Sequence, residues 1–365
     1  MSPNRPVPTH SLQELLRMFT PKPLAVAILL AFSLNAAAAN QVDQSQTGND
    51  NEVFAEQSNG EGNQIVQYQD GDRHSSTVTQ AGGSNLAETI QVGLEHTASI
   101  DQNGQANNAS IYQEGERQNA AINQVGEGNY SVVWQEEADN QVVSSQQGNG
   151  NLHVIEQSWR LNEADVSSIG NDNATTLTQL GSGTTVSQQV GDGNVLSIRQ
   201  AVVAYGGTIE VAQVGNDNNA EVDQYSSRYN AGLVRLEQKG DANTAQVSQS
   251  GGHNLIDLVQ EGYGNDLVMD QDGRSSEITG VSIGDSNAVE VQQGADFNTT
   301  TFSQQGSENL ISVTQYGYNL DAAVSQVGDA NQARITQGSI ALTSENLSAT
   351  VMQNGTGNVA TVIQR

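Results

Sequence analysis

Histidine and carboxylate side chains are the residues of this chain that could carry acid–base or metal chemistry. The sequence has five histidines and no cysteine. His74 and His96 occupy equivalent places 22 residues apart, whereas His153 and His253 have no partner at a fixed spacing. A catalytic or metal site needs several such groups that converge from different elements. We therefore expect no enzyme, no catalytic residue, no metal ligand and no cofactor.

The charge balance of the chain restricts its partners. Thirteen Lys and Arg residues stand against forty-one Asp and Glu residues, which gives a formal net charge of -28. Such a chain repels phosphate backbones and anionic membrane surfaces, so nucleic acid is not an expected partner. Only 35% of the residues are hydrophobic and 4% aromatic, a composition that favours disorder unless a regular pattern opposes it.

The N-terminal segment has the features of a secretory signal peptide. Three basic residues precede an eleven-residue apolar run at 24–34, which is too short for a transmembrane helix of about 20 residues. The small residues Ala37 and Ala39 place the expected cleavage before Asn40. We therefore predict that residues 1–39 are a signal peptide and that the chain is secreted.

An eleven-residue repeat runs through the rest of the chain. Its anchor positions are 46, 57, 69, 80, 91, 102, 113, 124, 135, 146, 157, 168, 179, 189, 200, 213, 224, 238, 249, 260, 271, 282, 293, 304, 315, 326, 337, 353 and 364. Twenty-seven of these twenty-nine positions are Gln, and the exceptions are Ser168 and Ser282. Twenty-three of the twenty-eight intervals are eleven residues long, so the period sets the fold.

Each repeat predicts one β-strand and one turn. Counted from the anchor, position five is usually Asn, positions seven and nine are small or aliphatic, and the next anchor follows at eleven. This spacing of two is typical of one face of a strand, and the Gln-x-Gly-x-x-Asn segment supplies the turn. Two units form one 22-residue rung. The sequence therefore predicts an all-β parallel solenoid of about 14 rungs, with amyloid-like cross-β structure on assembly.

Stacked rungs explain why glutamine can recur at buried anchor positions. A buried amide without partners costs about 1–3 kcal/mol. In parallel rungs spaced ~4.8 Å apart, like positions lie in register, so Gln238 and Gln249 each stack on an equivalent 22 residues away. Each amide can then donate to one neighbour and accept from the other, which removes that cost.

Five intervals depart from eleven residues, and each keeps a Gln anchor at its far end. We interpret the extra residues as loops at turns. No linker of biased composition interrupts the array, so residues 40–365 are expected to form one solenoid domain.

The repeat resembles the curlin repeat of curli subunits, which are secreted bacterial proteins that assemble into extracellular amyloid fibres. The residues that match its full Gln, Gly, Asn, Ala and Gln pattern are Gln80, Gly82, Asn85, Ala87, Gln91, Gln102, Gly104, Asn107, Ala109, Gln113, Gln213, Gly215, Asn218, Ala220, Gln224, Gln238, Gly240, Asn243, Ala245, Gln249, Gln326, Gly328, Asn331, Ala333 and Gln337. The Gln, Gly and Asn residues of this set are the expected structural ladder.

The resemblance implies a structural subunit of curli-type fibres in the biofilm matrix, with a role in adhesion. It implies export through the curli secretion pore with the help of a periplasmic chaperone, and assembly on the bacterial surface with itself and with a related curlin subunit. A major fibre subunit and a minor nucleating subunit both remain open.

Two other functions of secreted β-helices provide alternatives. Gly/Asp/Asn turns such as 215–219 suggest calcium binding, but the calcium-binding repeat has a nine-residue period that is absent here. A carbohydrate-acting β-helix needs charged clusters on inserted loops, and the insertions here are at most five residues.

Overall fold

The computed structural model describes residues 39–202, 206–226, 229–338 and 345–365, and β-strands are the regular elements in this part. The strands are β1 (Gln41–Thr47), β2 (Glu52–Ser58), β3 (Gln64–Asp72), β4 (Ser75–Gly83), β5 (Leu86–Leu94), β6 (Thr97–Gln105), β7 (Asn108–Glu116), β8 (Asn119–Glu127), β9 (Tyr130–Ala138), β10 (Gln141–Asn149), β11 (Leu152–Ser158), β12 (Glu163–Ile169), β13 (Ala174–Gly181), β14 (Thr184–Val190), β15 (Val195–Val202), β16 (Thr208–Val214), β17 (Asn219–Ser226), β18 (Gly232–Asp241), β19 (Thr244–Gly252), β20 (Asn254–Tyr263), β21 (Asp266–Arg274), β22 (Glu277–Asp285), β23 (Ala288–Gly294), β24 (Thr299–Gln305), β25 (Leu310–Tyr316), β26 (Asp321–Val327), β27 (Gln332–Gly338), β28 (Ser348–Asn354) and β29 (Val359–Gln364).

The strands alternate between two parallel sheets. Among the described residues, the first sheet contains the fifteen odd-numbered strands in order and the second contains the fourteen even-numbered strands. Each strand pairs in parallel with the strand two places along the chain, for example β6 with β8. One strand from each sheet makes one rung, so the described chain has fourteen rungs and one further strand. The predicted all-β parallel solenoid is confirmed.

The spacing of two in the sequence places alternate side chains inside. In β8, Ala120, Ile122 and Gln124 are buried, while Asn119 and Asn123 are exposed. The buried apolar residues of both sheets form one continuous cluster along the solenoid. Because each rung offers only about two aliphatic side chains per strand, the core is narrow and depends on regular stacking.

Each rung has two corners, and they differ. We call the corner from an even strand to the next odd strand the uniform corner, and the other the variable corner. Four of the five irregular intervals fall at the variable corner, where the gaps 203–205, 227–228 and 339–344 also lie. The register survives them, since β27 still pairs with β29 from Gln332↔Val359 onward.

Residues 1–38, which hold nearly all of the predicted signal peptide, lie outside the described part of the chain. The signal peptide therefore remains a prediction from the sequence. Among the described residues, no helix has the length and apolarity to cross a membrane.

Candidate functional site

Stacked glutamines run along the inside of the first sheet as a column of amides, which we call the first amide column. It contains fifteen Gln residues from Gln46 to Gln364. Each Nε2 donates to the Oε1 of the next Gln at 2.7–3.1 Å, without interruption. All these bonds point the same way, so the column has a donor end at Gln364 and an acceptor end at Gln46.

The second sheet has an equivalent column, the second amide column, with two serines in it. The bonds run from Gln57 to Gln146, from Ser168 to Gln260 and from Ser282 to Gln353. A serine hydroxyl is shorter than a Gln side chain, so the amide column is interrupted before each serine. Both serines still donate onward to a Gln Oε1 at 3.1 Å.

The glutamines also tie one sheet to the other. Nε2 of Gln80 in β4 donates to the backbone carbonyl of Gln64 in β3 at 3.0 Å, and Gln102 repeats this contact with Leu86. Gln80 and Gln102 therefore use both amide hydrogens inside the solenoid, one along the column and one across to the other sheet. This satisfies the buried side chains and opposes separation of the sheets.

The uniform corner carries a second ladder. All fifteen residues at its asparagine position are Asn, from Asn40 to Asn358. From Asn63 onward, the backbone N–H of each Asn donates to Oδ1 of the preceding Asn at 2.9–3.1 Å. Nδ2 of Asn107, for example, donates onward to the carbonyl of Gly126 at 2.9 Å.

The structure brings the sequence-predicted ladder residues together. All five full matches begin on the second sheet, pass through the uniform corner and end on the first sheet. Their first glutamines (Gln80, Gln102, Gln213, Gln238, Gln326) lie in the second amide column and their last (Gln91, Gln113, Gln224, Gln249, Gln337) in the first. Their glycines and asparagines (Gly82, Gly104, Gly215, Gly240, Gly328, Asn85, Asn107, Asn218, Asn243, Asn331) form part of the uniform corner.

The variable corner lacks this regularity. His74 and His96 stack there with ring centroids 5.0 Å apart, and burial lowers the pKa of His96 to about 4. Nearby, Gln118 Oε1 and Asn162 Oδ1 are buried without a hydrogen-bond partner. Within the described ranges, no three His, Asp or Glu side chains gather so that they could hold a metal ion.

A buried polar chain crosses the core at His153, and sequence reasoning missed it. Ser144 Oγ lies 2.8 Å from Nδ1 of His153, and Nε2 lies 2.8 Å from Ser168 Oγ. Since Ser168 donates to Gln189, it accepts from Nε2, and the imidazole is neutral with its proton on Nε2. These contacts lie nine and fifteen residues away along the chain, outside the eleven-residue repeat.

Each serine of the second amide column has an unusual residue near it in the core. Ser168 opens space that His153 fills from a position where small residues are usual. Near Ser282, the ring of Phe302 covers Gly280, where an added Cβ would meet the ring. The signal in the sequence was therefore a double departure: a serine at the anchor together with an unusual residue at position seven or nine.

The pairing of His153 with Ser168 predicts a pH dependence. Burial lowers the pKa of His153 to about 3, below its ordinary 6.5, so the unfolded chain binds the proton more tightly. Its contribution to stability is complete above pH 6.5 and falls as the pH drops toward 3, by up to about 1.4 kcal/mol per unit. The double variant H153A/S168Q restores the regular pattern, and we expect a weaker loss of stability between pH 6.5 and 4 in chemical denaturation.

The single variants are the controls for this prediction. H153A leaves a cavity and orphaned hydroxyls, and S168Q crowds His153, so each alone should destabilise more than the double variant does. Additive effects, or an unchanged pH slope in the double variant, would contradict the compensation.

The terminal rungs present unpaired strand edges. In the described part of the chain, β1 and β2 pair only with β3 and β4, and β28 and β29 pair only with β26 and β27. Large apolar side chains are exposed there: Met352 at 80%, Val359 at 72%, Ile363 at 59% and Phe54 at 48%. An unpaired, regular edge with apolar neighbours is a template for another strand.

The donor and acceptor groups at the two ends are complementary. The C-terminal end offers the Nε2 groups of Gln353 and Gln364, and the N-terminal end offers the Oε1 groups of Gln46 and Gln57. The two ends therefore present hydrogen-bonding groups of opposite kind at matching places in the amide columns.

The family model of the curlin associated repeat matches residues 233–262, 240–273 and 284–317. These matches lie where the anchors run from Gln238 to Gln337 at eleven-residue spacing without a departure. No curated protein matches the chain.

Proposed function

Because three segments of this chain match the curlin associated repeat, we propose that it is a secreted structural subunit that assembles end to end into extracellular curli-type amyloid fibres. The fibre lies on the bacterial surface and serves biofilm cohesion and adhesion. The observation that carries the proposal is the pair of unpaired, complementary ends on a solenoid whose amide columns reach its last strand.

The repeat explains why such ends suit growth. Within the chain, adding a rung extends two amide columns, the Asn ladder and the core by one step. Adding a further copy repeats the same contacts at the junction. A fibre of this kind is therefore the intramolecular stack continued between molecules.

Assembly of the exported protein tests the proposal. Bacteria that express the full chain supply the exported product, which is dissolved in denaturant and diluted. We expect sigmoidal thioflavin-T growth that seeds abolish, and fibre diffraction at about 4.7 and 10 Å. A soluble monomer that persists for days at high concentration would overturn the proposal.

A proline at the open edge of β29 should slow growth. Gln332 N–H donates to the carbonyl of Asn358, and the N–H groups of alternate residues face opposite neighbours. The N–H of Thr361 therefore faces the open edge. T361P removes that donor and places a ring against the incoming strand, and we expect elongation to slow about tenfold.

The matched control is T361A, which keeps the backbone N–H at the same exposed position. Seeded thioflavin-T kinetics compare the two. Equal rates for T361P and T361A would show that growth does not use this edge.

The proposal extends to partners. The curli secretion pore and a periplasmic chaperone would deliver the subunit, and a related curlin subunit would share the fibre. Cross-seeding separates the two roles that remain: a nucleating subunit abolishes the lag of its relative, and an elongating subunit has its own lag abolished.

A further inference from the structure

The number of strands constrains how two copies can join. The described chain has twenty-nine strands, so it begins and ends on the same sheet: β1 and β29 both belong to the first sheet. The second sheet ends half a rung lower, with β28. The first sheet therefore has one strand more than the second.

Direct stacking leaves a gap. If the next copy keeps the same orientation, its β1 lies on β29 at one rung spacing, ~4.8 Å. Its β2 then lies two spacings, ~9.6 Å, above β28, because no strand in the described part of either copy fills the place between them. One strand is missing from the second sheet at every junction, and the edges of β28 and β2 stay unpaired.

A half-turn about the solenoid axis closes both sheets. We infer that successive copies in the fibre are rotated by half a turn, so that β1 pairs with β28 and β2 pairs with β29 of the preceding copy. Each sheet of one copy then continues into the other sheet of the next. This inference rests on the proposed end-to-end assembly and adds the geometry of its junction.

The two eleven-residue units are similar enough to allow the exchange. Aligning the anchors sets Gln46 on Gln353 and Gln57 on Gln364, so donor ends meet acceptor ends in both amide columns. The inward residues Val53 and Ala55 fall on the Ala360 and Val362 positions. Core and amides thus both continue across the junction.

The corners favour the half-turn. The last complete uniform corner runs from Gly355 to Asn358, and Asn331 Nδ2 donates to the carbonyl of Gly355. The half-turn places Gly48 and Asn51 of the next copy on this corner. These two residues also form a Gly-x-x-Asn corner, and Asn51 Oδ1 accepts a backbone N–H, from His74, as the Asn residues of the uniform corner do. Direct stacking would place Asn40 of the next copy on Asn358, and none of the described residues would lie on Gly355.

The outward apolar residues favour it as well. Val359 and Ile363 flank Thr361 on the exposed face of β29. The half-turn places Phe54 opposite Thr361, where its ring can cover both aliphatic side chains. Direct stacking would place the polar residues of β1 there, with Asp43 opposite Thr361.

Engineered disulfides distinguish the two junctions, because the native chain has no cysteine. With the half-turn, Glu56 of one copy lies beside Ile363 of the preceding copy at ~4.8 Å, within disulfide range. With direct stacking, Ser45 takes that place. We expect oxidised fibres of E56C/I363C to yield covalent multimers on non-reducing gels, and S45C/I363C to yield monomers.

The outcomes separate this inference from the proposed function. Fibres whose S45C/I363C subunits cross-link, or fibres in which neither pair does, would overturn the half-turn while leaving assembly intact. Absence of any fibre from the unaltered protein would overturn the proposed function instead.

A measurement without substitutions checks the same point. Helical reconstruction of fibres of the unaltered protein should give a rise of about 70 Å per subunit, from 14.5 rungs of ~4.8 Å, with half a turn added to the gradual twist. A rotation without that half-turn would overturn the inference.

Discussion

Replacing Gly262 with alanine is expected to lower the free energy of unfolding by about 4 kcal/mol. Gly262 lies at the uniform corner with φ +120°, a conformation that L side chains rarely adopt. An added Cβ would also overlap the carbonyl oxygen of Gly284 in the next rung. Neither problem can relax locally, because the obstacle is backbone that belongs to a paired strand.

Gly264 provides a matched control two residues away. Its φ is +63°, and an added Cβ would find only Ser286 Oγ, at 4.0 Å. Neighbouring rungs place Ala242 and Ser286 at the same position, both with φ of 56°. We expect G264A to change stability by about 0.5 kcal/mol or less in guanidinium unfolding followed by circular dichroism. Similar losses for the two variants would contradict the role of the glycine backbone.

Replacing Gln249 with leucine is expected to cost about 3 kcal/mol. Gln249 accepts from Gln224 at 2.8 Å and donates to Gln271 at 3.1 Å, so the substitution orphans a buried donor and a buried acceptor. Each orphaned group costs about 1–3 kcal/mol, whereas the similar volume of leucine avoids a cavity.

Gln246 is the control for this variant, because it lies in the same strand, β19, with its side chain exposed. Q246L removes an equal amide without orphaning a buried group, and its effect should stay near zero. Denaturant midpoints of Q249L and Q246L compare the two. If they coincided, the amide column would contribute nothing beyond its volume.

The fold could be predicted from the sequence because one local period repeats through the whole chain. Spacing of two between Asn, aliphatic residues and Gln fixes a strand face, and a fixed interval fixes the register, as in Gln238↔Gln260. The extra residues after Gln200 and Gln224 could be assigned to turns for the same reason, since the anchors beyond them pair in register.

Other features were hidden because they depend on which sheet a unit belongs to. Asn is invariant at position five only in the units that pass through the uniform corner. In the eleven-residue repeat as a whole it is merely frequent, because the two kinds of corner alternate. The contact of His153 with Ser168 crosses the core between the sheets, fifteen residues apart. A search that assumes an eleven-residue period does not compare such positions. That the first and the last strand belong to the same sheet likewise becomes visible only when each strand is assigned to a sheet.

The difference between the corners bears on protein engineering. Apart from one extra residue between Gln57 and Asn63, all changes of length occur at the variable corner. A guest peptide placed between Val202 and Thr208 would lengthen a corner that already varies, and the rungs on either side would keep their register. Along a fibre whose successive copies are rotated by half a turn, such guests would form two rows on opposite edges, and each row would display one guest for every two subunits.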